Sequence, residues 1–143
     1  MNYPPMERAP RAGQGLGHAV LCAKPLVGDA TFAVVLPDVL IDDAAANLEQ
    51  ENLAAMVREF ERTGVSQILI ELIPEEDVKK YGIVDVGGLS FRPGENAMLT
   101  DIMERPALNE APSNLSIVGR YVFSAHVMNI WPTCLLAPAR RSS

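Results

Sequence analysis

Cysteine, aromatic residues and long apolar runs are all scarce in this chain of 143 residues. Its two cysteines, Cys22 and Cys134, stand far apart with no C-x-x-C spacing, and neither His18 nor His126 completes a finger pattern with them. A zinc finger and a disulfide framework are therefore excluded as readings, and Cys22 is expected to be a buried small apolar residue, as free thiols usually are. No apolar stretch nears the ~18 residues that a membrane helix needs. The opening segment, with Pro4, Pro5, Glu7 and Pro10, has no secretory h-region. Cations are the minority charge, 12 Lys+Arg against 18 Asp+Glu, for a formal net charge of −6. That balance argues against non-specific binding to nucleic acid or an anionic membrane, because such affinity rests on clustered cations. The expectation is a cytoplasmic chain with neither partner, and binding of one small anion at a local site stays compatible with it.

What is present is an ordinary apolar share, 48%, in a length that suits one domain. Residues 1–14 are rich in Pro, Arg and Met without periodicity and read as a leader, and residues 126–143 read as a tail that follows no helical or strand period. Between them the text is orderly. Gly17 to Lys24 predicts a short helix stopped by Pro25. Thr31 to Leu36 is a continuous apolar run, as expected of a strand buried on both faces of a parallel sheet. Leu53, Met56, Val57 and Phe60 recur at helical spacing with charge on the other faces, and Gly64 follows in the C′ role. Gln67 to Ile73 predicts a second buried strand. Strand, helix and strand in that order imply a βαβ unit with a right-handed crossover. Shorter strands follow in IVDV, MLTDIME and NLSIVGRYVF. The fold class is α/β with mixed strand directions.

Chemistry-bearing residues are few. In open α/β sheets ligands sit beyond the carboxyl ends of strands, and Asp38 follows the TFAVVL run through Pro37. A carboxylate there could hold Mg²⁺, which needs few protein ligands, but on spacing alone Asp38, Asp42 and Asp43 read first as loop and cap acids before a helix, caps being far commoner than metal sites. Gly15, Gly17 and His18 open the first helix, where free N–H groups favour phosphate or a base carbonyl. Tyr81-Gly82 and Gly87-Gly88 are turn signals. Glu104-Arg105-Pro106 closes a strand, either as a solvated pair or with the Arg105 fork held ready for a phosphate.

Taken in order, GLGHAVLCAKPLVGD, FAVVLPDVLIDD, NLAAMVREFERTGVSQILIE, KYGIVD, ERP and APSNLSIVGRYVFSA resemble the central part of the bacterial UTP–glucose-1-phosphate uridylyltransferases. The resemblance covers residues 15–125 and implies an incomplete Rossmann-like nucleotidyltransferase fold with a mixed, mostly parallel sheet. It implies transfer of UMP from UTP to glucose 1-phosphate, giving UDP-glucose and pyrophosphate with Mg²⁺, in a protein that is oligomeric. By the same resemblance Gly15 lies against the uracil and Asp38 is a metal ligand. Gly82 and Glu104 face the sugar, Arg105 meets the sugar phosphate, and Gly119 lines the same pocket.

The departures from that pattern carry their own expectation. The family's Gly-rich G-x-G-T-R loop and P-K-E-x-L-P segment do not occur in this chain, and Pro10 stands where a uracil-reading Gln belongs. Arg105 replaces a Lys, and His126 onward does not match. A central fragment with divergent ends and little or no activity is the expectation. The alternative is a non-catalytic fragment that binds an intact subunit or retains only sugar-phosphate binding.

Overall fold

The computed structural model describes residues 15–38, 40, 44–45, 47, 49–90 and 92–130. The leader at 1–14, Asp42, Asp43, Cys134 and the end of the tail beyond residue 130 lie outside the described residues. The chain divides into two compact units, one holding the described residues up to Phe32 together with those from Ser124 onward, the other running from Ala33 to Phe123.

In the first unit α1 (Gly15–Cys22) buries Val20 and is followed by α2 (Lys24–Val27). Pro25 does not stop a helix here. It sits in the first turn of α2, where a proline's missing N–H would have found no partner anyway. Gly28, with a φ of 58°, ends α2 by donating its N–H to the Lys24 carbonyl. The Lys24 ammonium reaches Asn129 Oδ1 at 3.2 Å and the Met128 carbonyl at 3.5 Å, over a helical turn whose Met128 side chain is buried. Cys22 is exposed rather than buried. Four residues on from His18 it shares that residue's helix face, with Sγ 3.7 Å from Nε2.

The second unit is a five-stranded sheet with one helix: β1 (Phe32–Val35), α3 (Asn52–Thr63), β2 (Gln67–Leu72), β3 (Gly82–Asp85), β4 (Asp101–Glu104) and β5 (Leu115–Phe123). The helix falls where the apolar spacing put it. Gly64 takes the left-handed conformation, φ 71°, and its N–H bonds to the Phe60 carbonyl at 2.7 Å. Met56 is the buried residue of α3, which packs on β2 and β5. Pro74 opens a 3-10 segment, Glu75–Lys80, that drops Val78 into a cluster with Ile73 and Ile83.

The sheet itself departs from the expected pattern. Strand order is β1-β5-β3-β4, with β2 also paired to β5. Thus β1 and β2 are not neighbours, and β5 receives both. The pairings of β5 with β2, β5 with β3 and β3 with β4 are antiparallel, so a mostly parallel sheet is not what forms. Burial on both faces, expected for Thr31 to Leu36, occurs in β3 instead, where the consecutive Ile83 and Val84 are each 0% exposed. In β1 the pattern alternates between half-buried and exposed. Apolar content alone cannot tell which of several apolar strands becomes central, because that depends on what covers each face.

The junction of these strands lies at Gly119. Between the pairs Ile68↔Tyr121 and Ile70↔Ile117, β2 advances two residues while β5 advances four, so β5 bulges around Gly119. Leu36 at the end of β1 donates its N–H to the Gly119 carbonyl at 2.8 Å. Its side chain lies so close over Gly119 that an added Cβ would meet Leu36 Cβ at 2.7 Å. Glycine is demanded by the close approach of the Leu36 side chain. Gly119→Ala is expected to lower stability by about 1–3 kcal/mol, as overpacking does, measured by urea unfolding. Leu36→Ala in the same chain should recover part of that loss, and a change under about 0.5 kcal/mol in the single variant would refute the close-packing account.

Candidate functional site

Three of the expected residues are brought together at the end of the β3–β4 pair. Gly82 and Glu104 are register partners. The Glu104 carboxylate folds over the space that a side chain at position 82 would fill, with Oε2 3.2 Å from the ideal Cβ position and Ile117 Cδ1 3.5 Å from it. Gly82 opens β3 rather than forming the turn expected from Tyr81-Gly82, whereas Gly87 and Gly88 do form a turn, with φ of 65° and 73°. Arg105 ends β4 in a left-handed conformation, φ 49°, and donates its N–H to the Tyr81 carbonyl at 3.0 Å. A non-glycine residue there is held at a cost of about 1 kcal/mol or more, and buried Pro106 behind it fixes the exit of the chain.

Glu104 and Arg105 present their charges side by side, Nε to Oε1 at 3.4 Å, with both side chains at least 70% exposed. An ion pair so open to water adds little stability. What it offers is chemistry: a carboxylate that can accept hydrogen bonds from hydroxyls beside a guanidinium whose fork of donors suits a phosphate.

Tyr121 was not among the expected residues. Its ring stacks on Phe123 with centroids 5.5 Å apart. Partial burial first, and then the negative charge of Glu104, push its phenol above the usual tyrosine value. The signal was present in the sequence, since Tyr121 follows Gly119 at the strand period of two, but nothing there showed that β4 would bring Glu104 to it.

Asp38 and Gly119 form a second pair, joined through Leu36. Asp38 is exposed in the turn that leaves β1, two residues past the Leu36–Gly119 bond. Among the described residues, no three or more His, Cys, Asp and Glu side chains gather as a metal centre. Gly15 belongs to the first unit, where it opens α1 with a φ of 69° and open space about its Cβ position. A concavity of ≈ 290 Å³ in the second unit is lined by Glu75, Val78, Leu108, Ala111, Ser113 and Asn114 and includes none of the expected residues. Ser113 and Asn114 already donate to the Val84 and Ile73 carbonyls, so that hollow is bounded by structural hydrogen bonds.

The Tyr121 shift can be checked directly. Because its folded-state value is raised, the fold favours the neutral phenol. That contribution is complete below the unfolded value of about 10 and is lost as pH rises through the folded value. Glu104→Gln removes the nearby negative charge, so the phenolate absorbance of Tyr121 should appear at lower pH than in the parent chain. An unchanged titration would show that the carboxylate and the phenol do not interact.

The chain is 51% identical over 117 residues to the UTP–glucose-1-phosphate uridylyltransferase of Haemophilus influenzae, a match covering 82% of this chain and 40% of the relative. The solved UDP-glucose pyrophosphorylase of Acinetobacter baumannii superposes with a TM-score of 0.74 at 46% identity, over 82% of this chain and 40% of that one. A second structure, described as UTP-bound UGPase from Acinetobacter baumannii, gives 0.73 at the same identity and coverage. The chain thus spans about two-fifths of the length of these relatives. The family model for nucleotidyl transferases matches residues 3–142, and with the matching α/β domain in place the chain belongs to the nucleotidyl transferase family.

Proposed function

We propose that this chain carries the sugar-phosphate end of a UTP–glucose-1-phosphate uridylyltransferase site, and that as a 143-residue polypeptide it turns over little or no substrate. The observation that supports this reading is the convergence of Gly82, Glu104 and Arg105 at one end of the β3–β4 pair. Glu104 would accept hydrogen bonds from sugar hydroxyls over the space that Gly82 leaves open. Arg105 would meet the phosphate of glucose 1-phosphate, and Gly119 would line the same pocket. In the first unit, Gly15 would lie against the uracil.

In the complete reaction a phosphate oxygen of glucose 1-phosphate attacks the α-phosphorus of UTP. One P–O bond forms, the bond to the β-phosphate breaks, and pyrophosphate leaves. Such transfers depend on alignment and on neutralising charge, so the contribution of Glu104 and Arg105 is to hold and orient the acceptor. Asp38 fits Mg²⁺ only as a shared ligand: it offers one exposed carboxylate, and this ion commonly completes its shell with water and phosphate oxygens. When bound there, the ion would supply charge neutralisation at the phosphates.

Low turnover follows because the basic segments that would cradle a triphosphate, G-x-G-T-R and P-K-E-x-L-P, do not occur in this sequence. The proposal keeps residues 15–125 as a partial nucleotidyltransferase domain between a divergent leader, 1–14, and a divergent tail, 126–143. It places the protein in the cytoplasm, without nucleic-acid or membrane partners and with the capacity to oligomerise. Among the described residues no helix is long and apolar enough to cross a membrane. A second reading, retention of sugar-phosphate binding alone, is favoured by the same exposed Glu104–Arg105 pair.

Calorimetric titration and a coupled pyrophosphate-release assay test these statements together. Glucose 1-phosphate should give a binding heat that Glu104→Ala abolishes. UTP, glucose 1-phosphate and Mg²⁺ together should release pyrophosphate far more slowly than a typical enzyme rate of about 10 s⁻¹. Turnover at that ordinary rate would overturn the low-activity proposal, and absence of heat with glucose 1-phosphate would overturn the sugar-phosphate assignment.

A further inference from the structure

Free cysteine is among the most buried residue types, yet Cys22 is exposed at the end of α1. Its neighbour is His18, half-buried one turn earlier, with Nε2 3.7 Å from the Cys22 Sγ. A spacing of four residues puts the two side chains on one helix face. As a neutral thiol and imidazole they share only a weak S–H···N contact, since a thiol is a poor donor. The same separation suits a stronger interaction. A tetrahedral zinc-class ion takes bonds of about 2.3 Å to sulfur and about 2.0–2.1 Å to nitrogen, which sets those two atoms about 3.5–3.6 Å apart. The observed 3.7 Å falls within the tolerance of about 0.2 Å expected of a metal site.

The donor set selects the ion. Thiolate and imidazole suit zinc and other soft or borderline cations, whereas Mg²⁺ requires oxygen ligands. Lys24, the Lys or Arg nearest to Cys22 in sequence, sends its ammonium to Asn129 Oδ1 and the Met128 carbonyl, so its charge is engaged by acceptors of its own. We propose that His18 and Cys22 form a two-ligand site on α1 for a thiophilic divalent cation of the zinc class. Cys22 Sγ binds as the thiolate, its proton passing to solvent, and His18 Nε2 binds through its lone pair. Water completes the tetrahedron. Both protein ligands come from a single helical turn, so the site draws on no residue outside those described, and a bound ion clamps that turn. The inference does not rest on the proposed catalysis, and binding rather than turnover tests it.

Cobalt serves as the optical probe. With a non-thiol reductant present, titration of Co²⁺ into the 143-residue chain should give one bound ion and a thiolate-to-cobalt charge-transfer band. Zn²⁺ should abolish the band by displacement, and excess Mg²⁺ should not. Cys22→Ser and His18→Gln should each weaken Co²⁺ binding by about tenfold or more, while Cys134→Ser leaves it unchanged. Cys22→His keeps a chelating pair at the same spacing and should bind Zn²⁺ without the band, which separates lost ligation from misfolding. Saturating Zn²⁺ should also slow amide exchange in α1 by about tenfold or more in the parent chain and not in Cys22→Ser, because an ion that binds only the folded turn opposes its opening. The proposal fails if no band appears, if the band survives Cys22→Ser or is lost with Cys134→Ser, or if His18→Gln binds as the parent does. It also fails if Cys22→His does not bind Zn²⁺, or if exchange in α1 is indifferent to the ion.

Discussion

The Leu36 side chain lies over Gly119 with no room for a methyl group between them, and the second unit is arranged around that contact. The bulge in β5 re-aims the strand, so that it pairs with β3 near Ser116, with β2 along its length and with β1 at Leu36. A side chain at position 119 would have to displace Leu36, whose N–H anchors the end of β1 and therefore the turn that carries Asp38.

At the candidate site, backbone features place the charged side chains. Glu104 sits where it does because Gly82 leaves a gap opposite it, and Arg105 because its backbone is turned left-handed and tied to Tyr81. Both charges stay in water, at least 70% exposed. Partial burial and then the carboxylate push the phenol of Tyr121 above the usual tyrosine value. None of these arrangements adds much stability. They consist of backbone constraints that place weakly coupled polar groups.

The second unit has an uneven surface. Ile83 and Val84 are fully enclosed, whereas Leu72 is 70% exposed and Val35 nearly half exposed on strands of similar apolar content. The difference lies in cover: β3 has neighbours on both edges, in β4 and β5, while β1 pairs with β5 alone among the described residues. The hydrophobic effect rewards removal of apolar area from water, and within the second unit it is met most fully at β3.

Local rules were legible in the sequence because they depend only on neighbours along the chain. The α3 stripe, its stop at Gly64, the turn at Gly87-Gly88 and the strands at IVDV, MLTDIME and NLSIVGRYVF all follow from period and backbone freedom. Motif order likewise pointed to the family and to Glu104, Arg105 and Gly82 as a set. Which strand became central, the antiparallel pairing, the exposure of Cys22, the seating of Pro25 inside α2 and the approach of Tyr121 to Glu104 belonged to the tertiary structure. Each depends on contacts between segments distant in sequence, and a pattern of 2.0 or 3.6 residues contains no term for those.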